Sequence, residues 1–267
     1  MTALVQVGRQ SADLAWRNLL HLRRSPGSLI AGLVEPVLFA LLTGFVIGSN
    51  LGGAAYRQYL VAGLLAQTVT FSTSFTTVGL ARDLHEGMTD RFRVLPIHRV
   101  AFLLGRTVSD LTACAVSVVA TVACGLAMGW RPRSGALEVA GASLLILLAA
   151  HALSWVGVLI ALVAPNVQVA ASLGLVWLFP ASFVSSGFVS TASLPGPLAV
   201  VAAWSPVSSL ADALRVQLGN TELPPGFPAQ HGWAAQHPAA YTVLWALGLI
   251  AVFVPLSTLR FRDRTRY

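Results

Sequence analysis

Apolar residues run along this chain in stretches of about 20, the length of helix that crosses the hydrocarbon core of a bilayer, and polar residues gather in the gaps. Six stretches of this kind fall at about 28–49, 59–80, 108–128, 137–163, 167–189 and 241–259. The pattern therefore predicts an all-α integral membrane protein with six transmembrane helices in a single transmembrane domain, 1–267. The gaps have patterns of their own. Residues 12–24 set Ala12, Ala15, Trp16, Leu19 and Leu20 on one side of a helix and Asp13, Arg17, His21 and Arg24 on the other, so 1–27 is read as a segment with an interfacial helix. Pro26 and Gly27 break it.

Between the second and third stretches, 81–99 is charged, with Leu84, Met88, Phe92 and Leu95 at helical spacing. A short amphipathic helix is predicted there, ended by Pro96. Trp130-Arg131-Pro132-Arg133 forms a tight outer turn, and Ala164 to Asn166 a very short inner loop. From 190 to 240 the chain is neither a clean span nor an ordinary loop. Its first half is apolar but interrupted by Pro195 and Pro206, which predicts a re-entrant pair of half-helices. Its second half, rich in Pro, Gly, Ala and Gln, is read as an external loop. No internal repeat is evident, which argues against inverted-repeat carriers.

Composition agrees: 55% of residues are hydrophobic, 10% are charged and the mean hydropathy is +0.72, outside the range of soluble domains. The net charge of +7 changes the picture more by its placement than by its size. Every basic residue is an arginine. Thirteen lie before the first stretch, after the second, or in the tail 260–267, and only Arg57, Arg131, Arg133 and Arg215 lie on the other side. The positive-inside rule then predicts both termini in the cytoplasm of a bacterial cell inner (plasma) membrane, with no need of a nucleic-acid partner. Cys114 and Cys124 lie ten residues apart on different faces of one helix, so neither a disulfide nor a metal site is expected. The first stretch is long enough to span and has no clear cleavage site, so it is read as retained.

With no lysine in the chain, a nucleotide-binding P-loop is impossible, and any ATP must be bound by another subunit. No hydrolase or metalloprotease motif appears either. The stretch Asp83-Leu-His-Glu86-Gly87-Met-Thr-Asp90-Arg91-Phe-Arg93-Val-Leu95-Pro96, continuing to Gly105-Arg106 and Asp110, resembles the loop after the second span in type-2 permeases of ATP-binding-cassette exporters. The resemblance is closest to the daunorubicin-resistance permease subfamily. It extends to Phe183-Val-Ser185-Ser186-Gly187-Phe188, Trp204-Ser205-Pro206 and Asp212-Ala-Leu-Arg215, with Ser205 where the family usually has Asn, and to Arg17-Asn-Leu, Arg24-Ser-Pro26 and Glu35-Pro36.

The resemblance implies a subunit that exports a small hydrophobic drug, antibiotic or lipid-like compound. It also implies pairing with a second permease protomer and two copies of an ATPase subunit, which would hold the ATP and magnesium; this chain would bind no cofactor. Glu86, Gly87, Asp90, Arg91, Arg93, Leu95 and Pro96 would form the coupling helix that docks on the ATPase.

Candidate pathway residues are fewer. Thr70, Ser74 and Thr77 share one face of the second span, where their hydroxyls either line a pathway or bond back to their own helix. Glu35 and His151 are ionisable groups at membrane depth, where such groups serve either transport or interhelical hydrogen bonding. Phe183 completes the set. Gly44-x-x-x-Gly48 and Gly125-x-x-x-Gly129 permit close helix approach. His231 and His237 have no ligand pattern around them, so no metal is expected. Three rival readings are export of a glycan or glycolipid on the same fold, a proton-driven carrier using Glu35, and an intramembrane lipid-modifying enzyme using His151 or His85. The last two give no account of the 81–99 loop.

Overall fold

The computed structural model describes Val34 and residues 36–47, 53–86 and 99–264. The expected interfacial helix, Glu35, Gly48, and Gly87, Asp90, Arg91, Arg93, Leu95 and Pro96 of the expected coupling segment lie outside the described residues.

Among the described residues, every regular element is helical. The order is α1 (Pro36–Val46), α2 (Ala54–His85), α3 (Arg99–Ala127), α4 (Ala136–Val163) and α5 (Val167–Phe183). There follow α6 (Gly196–Ala203), α7 (Pro206–Gln217), the short α8 (Trp233–Gln236) and α9 (Pro238–Arg264). Among the described residues, three helices are long and apolar enough to cross a membrane, namely Leu103–Ala127 of α3, α4 and Pro238–Arg262 of α9. A fourth is reached if α6 and α7, bent by 65° at their junction, count as one. Proline chemistry makes that bend: Pro206 cannot continue α6, and Ser205 caps α7 by accepting from the Val207 amide at 3.3 Å. Asn166 caps α5 in the same way, accepting from the Val169 amide at 2.8 Å, so three residues suffice to turn the chain between α4 and α5.

The second helix is the hub. It packs against α3, α4, α5 and α7, while α4 packs between α2 and α9. Its polarity explains the placement. Gln67 and the run of Ser and Thr from Thr68 to Thr77 make α2 less lipophilic than α4, and surrounding it with protein keeps those groups away from lipid, while the hydroxyls of Thr68, Thr70, Ser72, Ser74 and Thr77 donate to carbonyls of α2 itself. Outward, the molecule is apolar: Leu38, Leu42, Phe45, Val119, Leu144, Leu244 and Val252 are exposed on α1, α3, α4 and α9. A soluble monomer does not carry so wide an apolar exterior.

Two elements differ from the sequence expectation. Hydropathy ends the second span at Leu80, but α2 continues to His85, where the Glu86 amide still donates to the Arg82 carbonyl at 2.9 Å. Charged residues end an apolar run without ending a helix. The fifth helix stops at Phe183, short of the expected 189, and Val184 to Ser190 form turns.

Candidate functional site

Two polar nodes and one aromatic cleft are arranged along α2. At one end, Arg106 of α3 reaches Asp83 at 2.8 Å and Asp110 at 3.1 Å, and donates to the Phe75 carbonyl at 3.3 Å. The guanidinium passes over Gly79, where any side chain would collide with it. His85 bridges to the neighbouring loop, with Nδ1 2.8 Å from the Ala81 carbonyl and Nε2 2.7 Å from that of Pro165. A buried cluster that includes Leu80, Leu103, Trp155, Leu162 and Phe261 backs this end. Glu86, the one described residue of the expected coupling set, stands exposed at the tip. The tip is thus a stiff mount for whatever follows it.

At the other end, Arg215 of α7 organises the second node. Its guanidinium stacks 3.6 Å from the centre of the Tyr59 ring and contacts Asp212 at 2.5 Å. It also donates to the carbonyls of Tyr59 at 3.2 Å, Ser186 at 2.8 Å and Gly187 at 3.2 Å. Ser186 Oγ lies 3.0 Å from Asp212, its amide donates to Ser208 Oγ at 2.9 Å, and the Tyr59 hydroxyl donates to its carbonyl at 2.9 Å. Gly63 admits the Gly187 carbonyl where a Cβ would fall on it. The two short motifs Ser185-Ser186-Gly187-Phe188 and Asp212-Ala-Leu-Arg215, separate in sequence, are therefore one structural unit.

The cleft lies between α1, α2 and α3 and is small and partly open to the exterior. Phe39, Phe71 and Phe75 supply aromatic faces, and Gln67, Thr68, Ser72 and Ser117 the polar atoms. Beside it the rings continue: Phe39 meets Phe183 and Phe188 at 6.1 and 5.7 Å, Phe71 meets Phe179 at 5.5 Å, and Phe179, Phe183 and Phe188 stack in sequence.

Of the expected pathway residues, Phe183 belongs to this aromatic array and is half-exposed. Thr70 and Thr77 are buried, and the hydroxyls of Thr70, Ser74 and Thr77 donate to the carbonyls of Ala66, Phe71 and Thr73 on their own helix. The Thr77 hydroxyl faces Gly157 of α4, at a close crossing of the two helices. His151 accepts from the Trp155 indole at 3.3 Å, and its Nδ1 is buried with no partner among the described residues. No group of three metal-ligating side chains occurs among the described residues. Gly44 and Gly125 serve packing within the chain, against Met128 and Val61. Sequence reasoning passed over Gln67, Tyr59 and the Phe39–Phe179 array, although a glutamine in the middle of a membrane-length apolar run was a visible signal.

A family model described as "ABC-2 type transporter" matches residues 9–218. Among curated relatives, the daunorubicin resistance ABC transporter permease protein DrrB1 of Streptomyces coeruleorubidus is 28% identical over 254 residues, covering 94% of this chain and 86% of the relative. The probable doxorubicin resistance ABC transporter permease protein DrrC of Mycobacterium tuberculosis is 27% identical, covering 86% and 80%. A putative transport permease, ycf38, of Porphyra purpurea is 24% identical, covering 78% and 74%.

Proposed function

The chain belongs to the ABC-2 type transporter family, and from that premise we propose that it is the membrane-spanning subunit of an exporter that moves a hydrophobic drug or antibiotic out of a bacterial cell. As a permease of this family it leaves ATP hydrolysis to a separate ATP-binding subunit. The substrate class follows that of its relatives, which are named for daunorubicin and doxorubicin resistance.

In this reading six spans place both termini in the cytoplasm, two permease protomers pair, and two ATPase subunits dock beneath them. The segment from Glu86 to Pro96 is the coupling helix. The observation that carries the reading is that α2 is one uninterrupted helix from the Tyr59 node to Glu86. Tyr59 and Asp83 are separated by about 36 Å of helix, close to the roughly 30 Å of a hydrocarbon core plus its interfaces. A push at Glu86 is then delivered along a rod clamped at both ends, by rigid-body movement of packed elements. The half-exposed array of Phe39, Phe179 and Phe183 supports an apolar, aromatic passage alongside that rod.

The test is co-purification with the ATPase subunit and comparison of drug-stimulated ATP hydrolysis for wild type and the double variant Glu86→Ala, Arg91→Ala. We expect a stable complex for wild type and a loss of stimulation of about tenfold or more in the variant, the scale of hot-spot residues in an interface. Wild-type stimulation in the variant would remove the coupling assignment, and failure of any ATPase to associate would remove the exporter reading.

A further inference from the structure

We propose that α6 is a fin seated in lipid: its exposed face docks among the acyl chains of one leaflet, the outer one in the six-span reading, with Trp204 and Trp233 at the level of the headgroups. This goes beyond the exporter reading and stands without it. None of the eight residues of α6 has a polar side chain, and Ala202 alone is buried. Leu198, Val200, Val201 and the adjoining Trp204 are 44, 62, 61 and 53% exposed. No charged residue occurs from 190 to 211. An apolar face of this kind is unstable against water.

The backbone at both ends of α6 is arranged for dry surroundings. The first helical bond runs from the Ala199 amide to the Pro195 carbonyl at 2.9 Å, so positions 195–198 have no amide partner within the helix. Two of those four, Pro195 and Pro197, are prolines with no N–H to leave unpaired. At the other end the Ser205 amide donates to the Ala202 carbonyl at 3.2 Å, and the Trp204 carbonyl accepts from the Tyr241 hydroxyl at 3.2 Å. Hydrocarbon offers a helix end no hydrogen-bond partner, so removing polar groups or meeting them with protein fits α6 to that medium.

Depth and occupant follow from what adjoins it. Trp204 packs on Tyr241 with ring centres 5.5 Å apart, and Trp233 and Trp245 reach the same ring at 5.8 and 6.3 Å. Tyr241 lies in the first turn of α9, so the cluster stands where tryptophan and tyrosine gather in membrane proteins, at the boundary with water. Beyond it α9 carries Leu244, Leu247 and Val252 on its exposed face, and α6 extends that apolar exterior. A helix about 12 Å long is too small to bury the roughly 800 Å² per partner of a stable protein interface. Lipid is therefore the occupant this face fits, not a second copy. Only Trp204 and Ser205 separate α6 from α7, so the leaflet holds one end of a bent pair whose other end carries Arg215.

The experiment attaches a spin label to Leu198→Cys, Val200→Cys or Val201→Cys, with Cys114 and Cys124 first replaced, in the full chain reconstituted in nanodiscs. Collision with dissolved oxygen, which enters hydrocarbon, is compared with collision with a neutral nickel chelate, which does not. Leu247→Cys on α9 supplies the lipid reference and Glu222→Cys the aqueous one. The ratio of oxygen to chelate collisions on α6 is expected to match Leu247 and to exceed that at Glu222 by about tenfold or more, the scale of excluding a polar solute from hydrocarbon. Chelate access at the Glu222 level would show that α6 faces water, and poor access of both reagents would show that protein covers it. Either result overturns the proposal, and three label positions keep the test open where one variant does not accumulate. Because neither ATPase nor drug takes part, these outcomes leave the exporter reading standing, and loss of ATPase association leaves the α6 assignment standing.

Discussion

Arg215 shows how much one side chain can hold together. It is 4% exposed, yet its charge is met by Asp212, by the face of Tyr59 and by three backbone carbonyls on two different segments. A planar five-donor fork can serve that many partners; an ammonium group cannot. Replacing it with methionine keeps the packing volume but strands Asp212, and breaking a buried pair in this manner costs about 3–5 kcal/mol. Arg215→Met is therefore expected to lower the thermal unfolding temperature markedly in detergent, with Arg215→Lys recovering only part of the loss. A wild-type melting temperature for the methionine variant would show that the node does not stabilise the fold. None of this was legible in the sequence beyond the motif itself. Asp212 and Arg215 are a plain i,i+3 pair, and nothing in the local pattern announces that Tyr59, more than a hundred residues earlier, lies beneath them. Arg106 and Asp110 were legible, because an i,i+4 pair needs only the helix to be recognised.

At the scale of elements, α2 is held by small residues at its crossings. Gly63 admits the Gly187 carbonyl, Gly79 admits Arg106, and Gly157 of α4 admits the Thr73 carbonyl and Thr77 hydroxyl. In a bilayer, where lipid is as apolar as a leucine side chain, such close approach takes the place of the hydrophobic effect in holding helices together. Gly63→Val should cost about 1–3 kcal/mol of overpacking and speed hydrogen exchange in 184–190, whereas Gly196→Ala, with open space around it, should stay within about 0.5 kcal/mol of wild type. Equal behaviour of the two variants would contradict this account of the crossing. The bent pair α6–α7 was visible in advance from Pro195 and Pro206, since backbone chemistry acts locally. The true length of α2 was not, because hydropathy registers where lipid ends and the helix continues past that point. The same limit hid the cleft: Gln67 reads as an oddity in a span until three helices are set around it.

For the whole molecule, the open question is on which side each connection lies, and the geometry offers a sharp test. The Arg133 amide donates to the Leu218 carbonyl at 2.9 Å and Arg133 pairs with Glu222 at 3.0 Å, so the end of α7 returns to the turn between α3 and α4. Glu86 precedes α3 and Glu222 sits beside the turn that follows it, which puts one crossing between them. In the six-span reading α5 crosses as well as α3 and α4, which makes three crossings, and the two counts then agree only if α6 and α7 enter and leave on the same side. Were the pair a full span, the count would be four and the sides would coincide. With Cys114 and Cys124 first replaced, single cysteines at Glu86 and Glu222 should therefore react differently with a membrane-impermeant maleimide. Glu222→Cys should label in intact cells and Glu86→Cys only after permeabilisation, as the arginine distribution also requires. Labelling of both from outside, or of neither, would put the two positions on one side of the membrane and overturn the single α3 crossing between them. The reverse labelling would keep the re-entrant pair and invert the protein, moving the arginine-rich ends outward and the proposed coupling segment away from any ATPase.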